Sequence, residues 1–119
     1  MELITVITPT YNRKDKIKKL YQSLCEQNSY NFRWLVVDDG STDETDKYIE
    51  SIKGKTRFKI SYIKKENGGK HTALNRGIKQ INTVLTMIVD SDDILLNNAI
   101  NEIETIYNKY KNDKRIASY

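Results

Sequence analysis

Residues Val84 to Leu96 read VLTMIVDSDDILL. Six residues, Val84 to Val89, apolar but for Thr86, have the look of a strand buried on both faces, and the run ends in Asp90, Asp92 and Asp93. Strands of that kind belong in a parallel sheet covered by helices. Three carboxylates crowded at a strand end repel one another, and no Lys or Arg adjoins them in sequence. Either a bound cation offsets them or they face open water.

The same alternation runs outward along the chain. Leu3–Thr8 (LITVIT) reads as a strand, broken by Pro9 and the polar residues after it. Ile17, Leu20, Tyr21, Leu24 and Cys25 recur at helical spacing, predicting a helix from about Lys14 to Gln27. Phe32–Val37 is a second strand ending at Asp38 and Asp39. Ser41-Thr42-Asp43-Glu44 has the form of a capping box for a helix carrying Tyr48, Ile49 and Ile52, which Gly54 stops. Lys59–Ile63 is a weaker strand. After the Asn67-Gly68-Gly69 turn, Ala73, Leu74, Gly77, Ile78 and Ile81 mark another helix. Asn97 or Asn98 can cap a last helix, with Ala99, Ile100, Ile103, Ile106, Tyr107 and Tyr110 on its apolar face. Strands alternating with helices predict an α/β fold, a mainly parallel sheet flanked by helices. Its strand C-termini then share one edge, where open α/β sheets bind ligands. The unusual polar segments all fall on that edge.

Length and composition narrow the classes. At 119 residues the chain is one domain. It has no run of eighteen apolar residues and no leader pattern, so neither a membrane span nor a signal peptide is expected. One cysteine, Cys25, excludes an internal disulfide and fits a reducing compartment. The net charge of +4 is spread over scattered lysines. It lacks the aromatic interleaving of a single-strand binder, so no nucleic-acid partner is expected, while an anionic membrane surface stays open.

Each polar segment has a structural reading beside a functional one. Asp90-Ser91-Asp92 can aim two carboxylates at one Mg²⁺ or Mn²⁺, or it can be an acidic turn before a helix. It is not an EF-hand, because Leu95 stands where the turn glycine belongs and Asn101 where the bidentate Glu belongs. Asp38-Asp39-Gly40-Ser41 supplies more acid than a strand-to-helix turn needs, and a carboxylate there can accept from a base N–H or a ribose hydroxyl. Tyr11, after Pro9 and Thr10, can pack a base or simply sit half exposed. Backbone N–H groups after Asn67, with Lys70, can meet phosphate. The spacing of a Walker A loop is absent, and no GxGxxG follows the first strand. PTYNRKDK contains no glycine, which disfavours a nucleotidyltransferase loop. His71, the lone histidine, reads as a surface residue.

In order, VITPTYNR, LVVDDGSTDET, NGGKHTALNRGI and MIVDSDDILL resemble the N-terminal half of family 2 glycosyltransferases, the GT-A fold. The likeness covers nearly the whole chain. It implies a donor-binding domain for a nucleotide-diphosphate sugar, commonly UDP-linked, with Mn²⁺ or Mg²⁺. By resemblance, Thr8, Pro9 and Tyr11 line the base pocket. Asp39 binds uracil or ribose with Asp38 nearby, and Lys70 lies near the nucleotide. Asp90 approaches the ribose and Asp92 the metal, while Asp93 shares or replaces either role. The acceptor would be a glycan or lipid-linked hydroxyl, in bacterial polysaccharide or cell-surface glycan synthesis. The setting would be cytoplasmic, at the inner face of a membrane. Family members continue into an acceptor half that holds the general base, and a further strand is expected to begin at Arg115–Tyr119. The chain is therefore expected to be one domain, the donor-binding half of a longer enzyme, with an open sheet edge that favours self-association.

Overall fold

The computed structural model describes residues 2–111. Strands and helices alternate as β1 Ile4–Thr10, α1 Lys14–Cys25, β2 Phe32–Asp38, α2 Thr45–Ile52, β3 Ile60–Lys64, α3 Lys70–Ile78, β4 Leu85–Ile88 and α4 Ala99–Tyr110. The expected strand at Arg115–Tyr119 lies outside the described residues. All three strand pairings are parallel, and the sheet order is β3-β2-β1-β4.

That order explains the layers. The chain steps outward from β1 through β2 to β3, then returns across the sheet to place β4 on the other side of β1. Right-handed crossovers running in opposite directions leave their helices on opposite faces. Ile17, Leu20 and Leu24 of α1, Ile49 of α2 and Ile100 of α4 accordingly cluster with Val6, Trp34 and Val36. On the other face, Ala73 of α3 packs with Ile7, Leu35 and Val37. The helix lies so close that a Cβ at Gly77 would come 2.4 Å from Ile7 Cδ1 and 2.7 Å from Val37 Cγ2.

Two strands differ from the sequence expectation. Pro9 does not end β1, which stays paired with β2 to Thr10↔Asp38. Thr8 and Thr10 face β2, whereas Ile7 and Pro9 face β4. Val89 N donates to Ile7 O at 3.0 Å. The next bond of that ladder would need an N–H at residue 9, which proline lacks. Pro9 thus parts β1 from β4 while leaving β1 and β2 joined. Among the described residues β4 pairs with β1 alone, and it is not buried on both faces, since Ile88 is 55% exposed and Val84, just before the strand, 65%. No helix among the described residues is long and apolar enough to cross a membrane.

Candidate functional site

The loops after β1 and β2 are stitched to each other. Asn12 takes a left-handed φ of 50°, which Asn tolerates better than most residues. Its N–H donates to Ser41 Oγ at 2.8 Å, and its Oδ1 accepts from Thr42 N at 2.7 Å. Asp43 Oδ2 accepts from Lys14 N at 3.0 Å, the first N–H of α1. Asp43 Oδ1 accepts from Thr45 N at 3.2 Å and Thr45 Oγ1 at 2.5 Å, at the start of α2. The expected capping box is therefore replaced. Ser41 serves the neighbouring loop, Glu44 sits at φ 67°, and Asp43 holds two helix starts at once. Burial works against the charge on Asp43, but the bonds from Thr45 and the Lys14 amide outweigh it and hold the carboxyl below the usual range.

The two acids at the end of β2, Asp38 in the strand and Asp39 in the bend just after it, part company. Asp38 is fully buried. Its Oδ1 accepts from Ser41 N at 2.8 Å, and its Oδ2 accepts from the Tyr62 hydroxyl. Burial, with that bond, pushes the ionisation of Tyr62 well up. Asp39, 4% exposed, turns toward the loop after β3. Its Oδ1 accepts from Lys65 Nζ at 2.5 Å and Gly68 N at 2.9 Å, and its Oδ2 from Gly69 N at 2.7 Å. Burial opposes this charge too, yet the Lys65 bond and the two amides bring the carboxyl below its ordinary range. Gly40 lets the two loops meet. Its φ is +90°, and a Cβ there would lie 3.1 Å from Asn67 N.

The acidic turn after β4 is not left to water or a metal alone. Lys70 Nζ lies 2.6 Å from Asp90 Oδ1, and Arg13 Nη1 lies 3.6 Å from Asp92 Oδ2. Both cations come from segments distant in sequence, Arg13 from the loop after β1 and Lys70 from the first turn of α3, so the compensation that is absent along the sequence is supplied by the fold. The pairs are about half exposed, so each adds little stability and can be exchanged cheaply. One carboxylate oxygen from each of Asp90, Asp92 and Asp93 lies within 4.8 Å of the others. Hard oxygen donors converging at a solvent-facing turn suit Mg²⁺ or Mn²⁺, which keep coordination positions for phosphate and water, so the donor set fits such an ion.

A cavity of about 270 Å³ opens between the ends of β1 and β4. Pro9, Thr10, Tyr11 and Arg13 form one wall, Asp90, Ser91 and Asp92 the other, and Asp39, Lys70 and Ala73 complete the lining. This is the point where the strand order reverses, the expected ligand position in open α/β sheets. Of the residues expected there, Pro9, Tyr11, Asp39, Lys70, Asp90 and Asp92 line the cavity. Thr8, Asp38 and Asp93 do not. The buried Thr8 hydroxyl accepts from Trp34 Nε1 at 3.0 Å, and both Asp38 oxygens are already bonded. Arg13 and Lys65 were not singled out from the sequence, because each is recognisable only by the acid it meets. The Thr10 hydroxyl lies buried against the cavity without a hydrogen-bond partner among the described residues.

The sequence model of Glycosyl transferase family 2 matches residues 5–117. This chain belongs to that family. It is similar to the poly(ribitol-phosphate) beta-N-acetylglucosaminyltransferase TarS of Staphylococcus aureus, with 31% identity over 95% of this chain and 20% of that protein. The crystal structure of TarS 1-349 in complex with UDP superposes with a TM-score of 0.81 at 32% identity, covering 93% of this chain and 33% of that one. A TarS complex with UDP-GlcNAc gives the same TM-score at 31% identity, covering 93% and 32%. A mannosyltransferase from Pyrobaculum calidifontis, solved with GDP-Man and Mn²⁺, superposes with a TM-score of 0.71 at 28% identity over 77% of this chain and 28% of that one. The chain thus spans a third or less of each of these proteins, and the GT-A-like α/β fold is common to them.

Proposed function

We propose that this chain binds a nucleotide-diphosphate sugar, with uridine as the nucleoside, and serves sugar transfer to an acceptor hydroxyl. One observation carries the reading. The cavity at the switch point has a fixed acceptor, Asp39, on its lining, and an acidic cluster shadowed by two cations on its rim. A nucleoside diphosphate has the matching polarity, with a base to be read and a diphosphate to be neutralised. Tyr11, 45% exposed, offers a flat ring for the base. Asp39 accepts from the nucleoside. Lys70 and Arg13 turn from Asp90 and Asp92 to the diphosphate, freeing those acids, with Asp93, to hold the cation. When bound, a divalent cation there supplies the positive charge that stabilises the leaving diphosphate. The UDP and UDP-GlcNAc complexes of TarS and the Mn²⁺ complex of the mannosyltransferase support the donor class and the ion. The roles of single residues rest on the cavity geometry.

In this reading the acceptor is a glycan or lipid-linked hydroxyl in polysaccharide or cell-surface glycan synthesis. Work takes place at the cytoplasmic face of a membrane, with an open sheet edge as the contact for self-association. A second reading is favoured by one feature: among the described residues lining the cavity, every carboxylate already has a cationic partner, which leaves none free as a general base. The chain would then bind donor without turning it over. Calorimetric titration with UDP, in Mn²⁺ and again in EDTA, tests the donor site. Metal-dependent binding is expected, and no binding in either condition would overturn it. Release of UDP from a UDP-sugar, with water or glycan as acceptor, separates transferase from binding module.

A further inference from the structure

A carboxylate offers about four lone-pair sites, two on each oxygen. On Asp39, both sites of Oδ1 are taken, by Lys65 Nζ and Gly68 N, and one of Oδ2 by Gly69 N. A single acceptor site remains, on Oδ2. Lys65 itself does not line the cavity, and its side chain is 18% exposed. It grips Asp39 from outside the ligand space and keeps it ionised. An ionised carboxylate can only accept, so whatever meets the remaining site must donate. The two glycine amides hold the group from one side, one to each oxygen. The lysine closes the second site on Oδ1.

We propose that Lys65 is a positioning residue for nucleobase choice: by filling Oδ1 it confines Asp39 to one outward acceptor site, which admits uracil through its ring N–H and disfavours cytosine, whose ring nitrogen at that position is itself an acceptor. The inference rests on the nucleotide-sugar reading of the cavity and specifies how that cavity selects its base. Guanine, which presents two adjacent donors, is also matched poorly, because a single acceptor site remains on Asp39.

The test compares UDP with CDP, which share ribose and diphosphate and differ only in the base edge. Affinities are measured by calorimetry with Mn²⁺ on the full chain and on Lys65→Met, Lys65→Gln and Lys65→Arg, with thermal melts of each. The parent should prefer UDP by about tenfold, the discrimination expected of one charge-assisted hydrogen bond. Lys65→Met should narrow that ratio to about threefold or less, Lys65→Arg should restore it, and Lys65→Gln, whose amide is only a neutral and shorter donor toward Oδ1, should fall between the two. Lys65→Gln keeps a donor toward Asp39, so it carries the comparison if the Met variant fails to fold. A ratio unchanged in the Met or Gln variant, with UDP and CDP weakened alike, would mean that Lys65 only supports the loop, and would overturn the proposal. A parent that binds UDP and CDP equally would overturn it as well, since Asp39 would then be reading the ribose. Failure of the parent to bind any of these nucleotides would be visible before any substitution is made, and would instead sink the donor-site reading on which the proposal rests.

Discussion

Replacing Asp43 with alanine should cost the domain about 2–3 kcal/mol. The figure follows from what the side chain holds. One oxygen caps the first N–H of α1, and the other receives the N–H and hydroxyl of Thr45 where α2 begins. Loss of a helix cap costs typically ~1 kcal/mol, and here two helices lose one together. Thr45 is fully buried, so its hydroxyl loses its partner where water does not easily replace it, adding a further ~1 kcal/mol. For a chain of this size the melting temperature should fall by roughly 10 °C. Urea unfolding at pH 7 measures the difference, and an unchanged m-value would show that the denatured state is not responsible. The acid limb gives a second check. The folded-state carboxyl is held below its ordinary value, so its contribution is complete above about pH 4 and is lost as pH falls through the depressed folded value. The gap between parent and variant should therefore close in acid. A difference under about 0.5 kcal/mol at pH 7, or a gap that persists undiminished at the lowest pH where both fold, would refute the double-cap account.

Three further substitutions probe separate parts of the structure. Gly77→Val should destabilise by about 1–3 kcal/mol in urea unfolding, because even a Cβ at that position meets Ile7 and Val37, both fully buried in the core. Thr8→Val should cost about 1–3 kcal/mol, since Trp34 Nε1 is left buried without an acceptor. Its UDP affinity should stay within about twofold of the parent, because the Thr8 hydroxyl is spent inside the core; a larger change read by calorimetry would put Thr8 back in the base pocket. Asp92→Asn should leave the melting temperature nearly unchanged, as its ion pair with Arg13 is half exposed, yet weaken Mn²⁺-dependent UDP binding by about tenfold or more. Binding as tight as the parent's would remove Asp92 from the metal site.

The features legible in the sequence were those that depend on local pattern. Apolar runs and helical spacing suffice to find eight elements and to put four polar segments on one rim, because burial imposes those periods within each segment. Strand order is set by pairings between distant segments, so a half-exposed β4 beside β1 could not be read from VLTMIV, which looks fully buried. Pro9 departs from its sequence expectation for a related reason. A proline ends pairing only on the side its missing N–H faces, and which neighbour lies there is a property of the sheet. Ser41-Thr42-Asp43-Glu44 meets the capping-box pattern, but donors from the loop after β1 compete for its oxygens and move the cap to Asp43. At the site, the acids announced themselves by crowding. Their partners did not, since Arg13 and Lys65 are two cations among many until the fold brings them to Asp92 and Asp39.

Those partners bear on how ligands enter on the proposed reading. At rest, Lys70 sits on Asp90 and Arg13 on Asp92, so the rim is largely neutral before anything binds. A divalent cation arriving alone has to displace both side chains and leave their positive charges beside it. A diphosphate arriving alone draws Lys70 and Arg13 away and leaves a cluster of acids uncompensated. Arriving together, the two exchange partners: acids go to the cation, and cations go to the diphosphate. Each ligand then removes the electrostatic penalty of the other, and linkage requires the benefit to be mutual. The gap that permits this exchange comes from one residue. Because Pro9 cannot continue the ladder to β4, the acidic turn stands away from β1 across a cavity instead of being zipped to it.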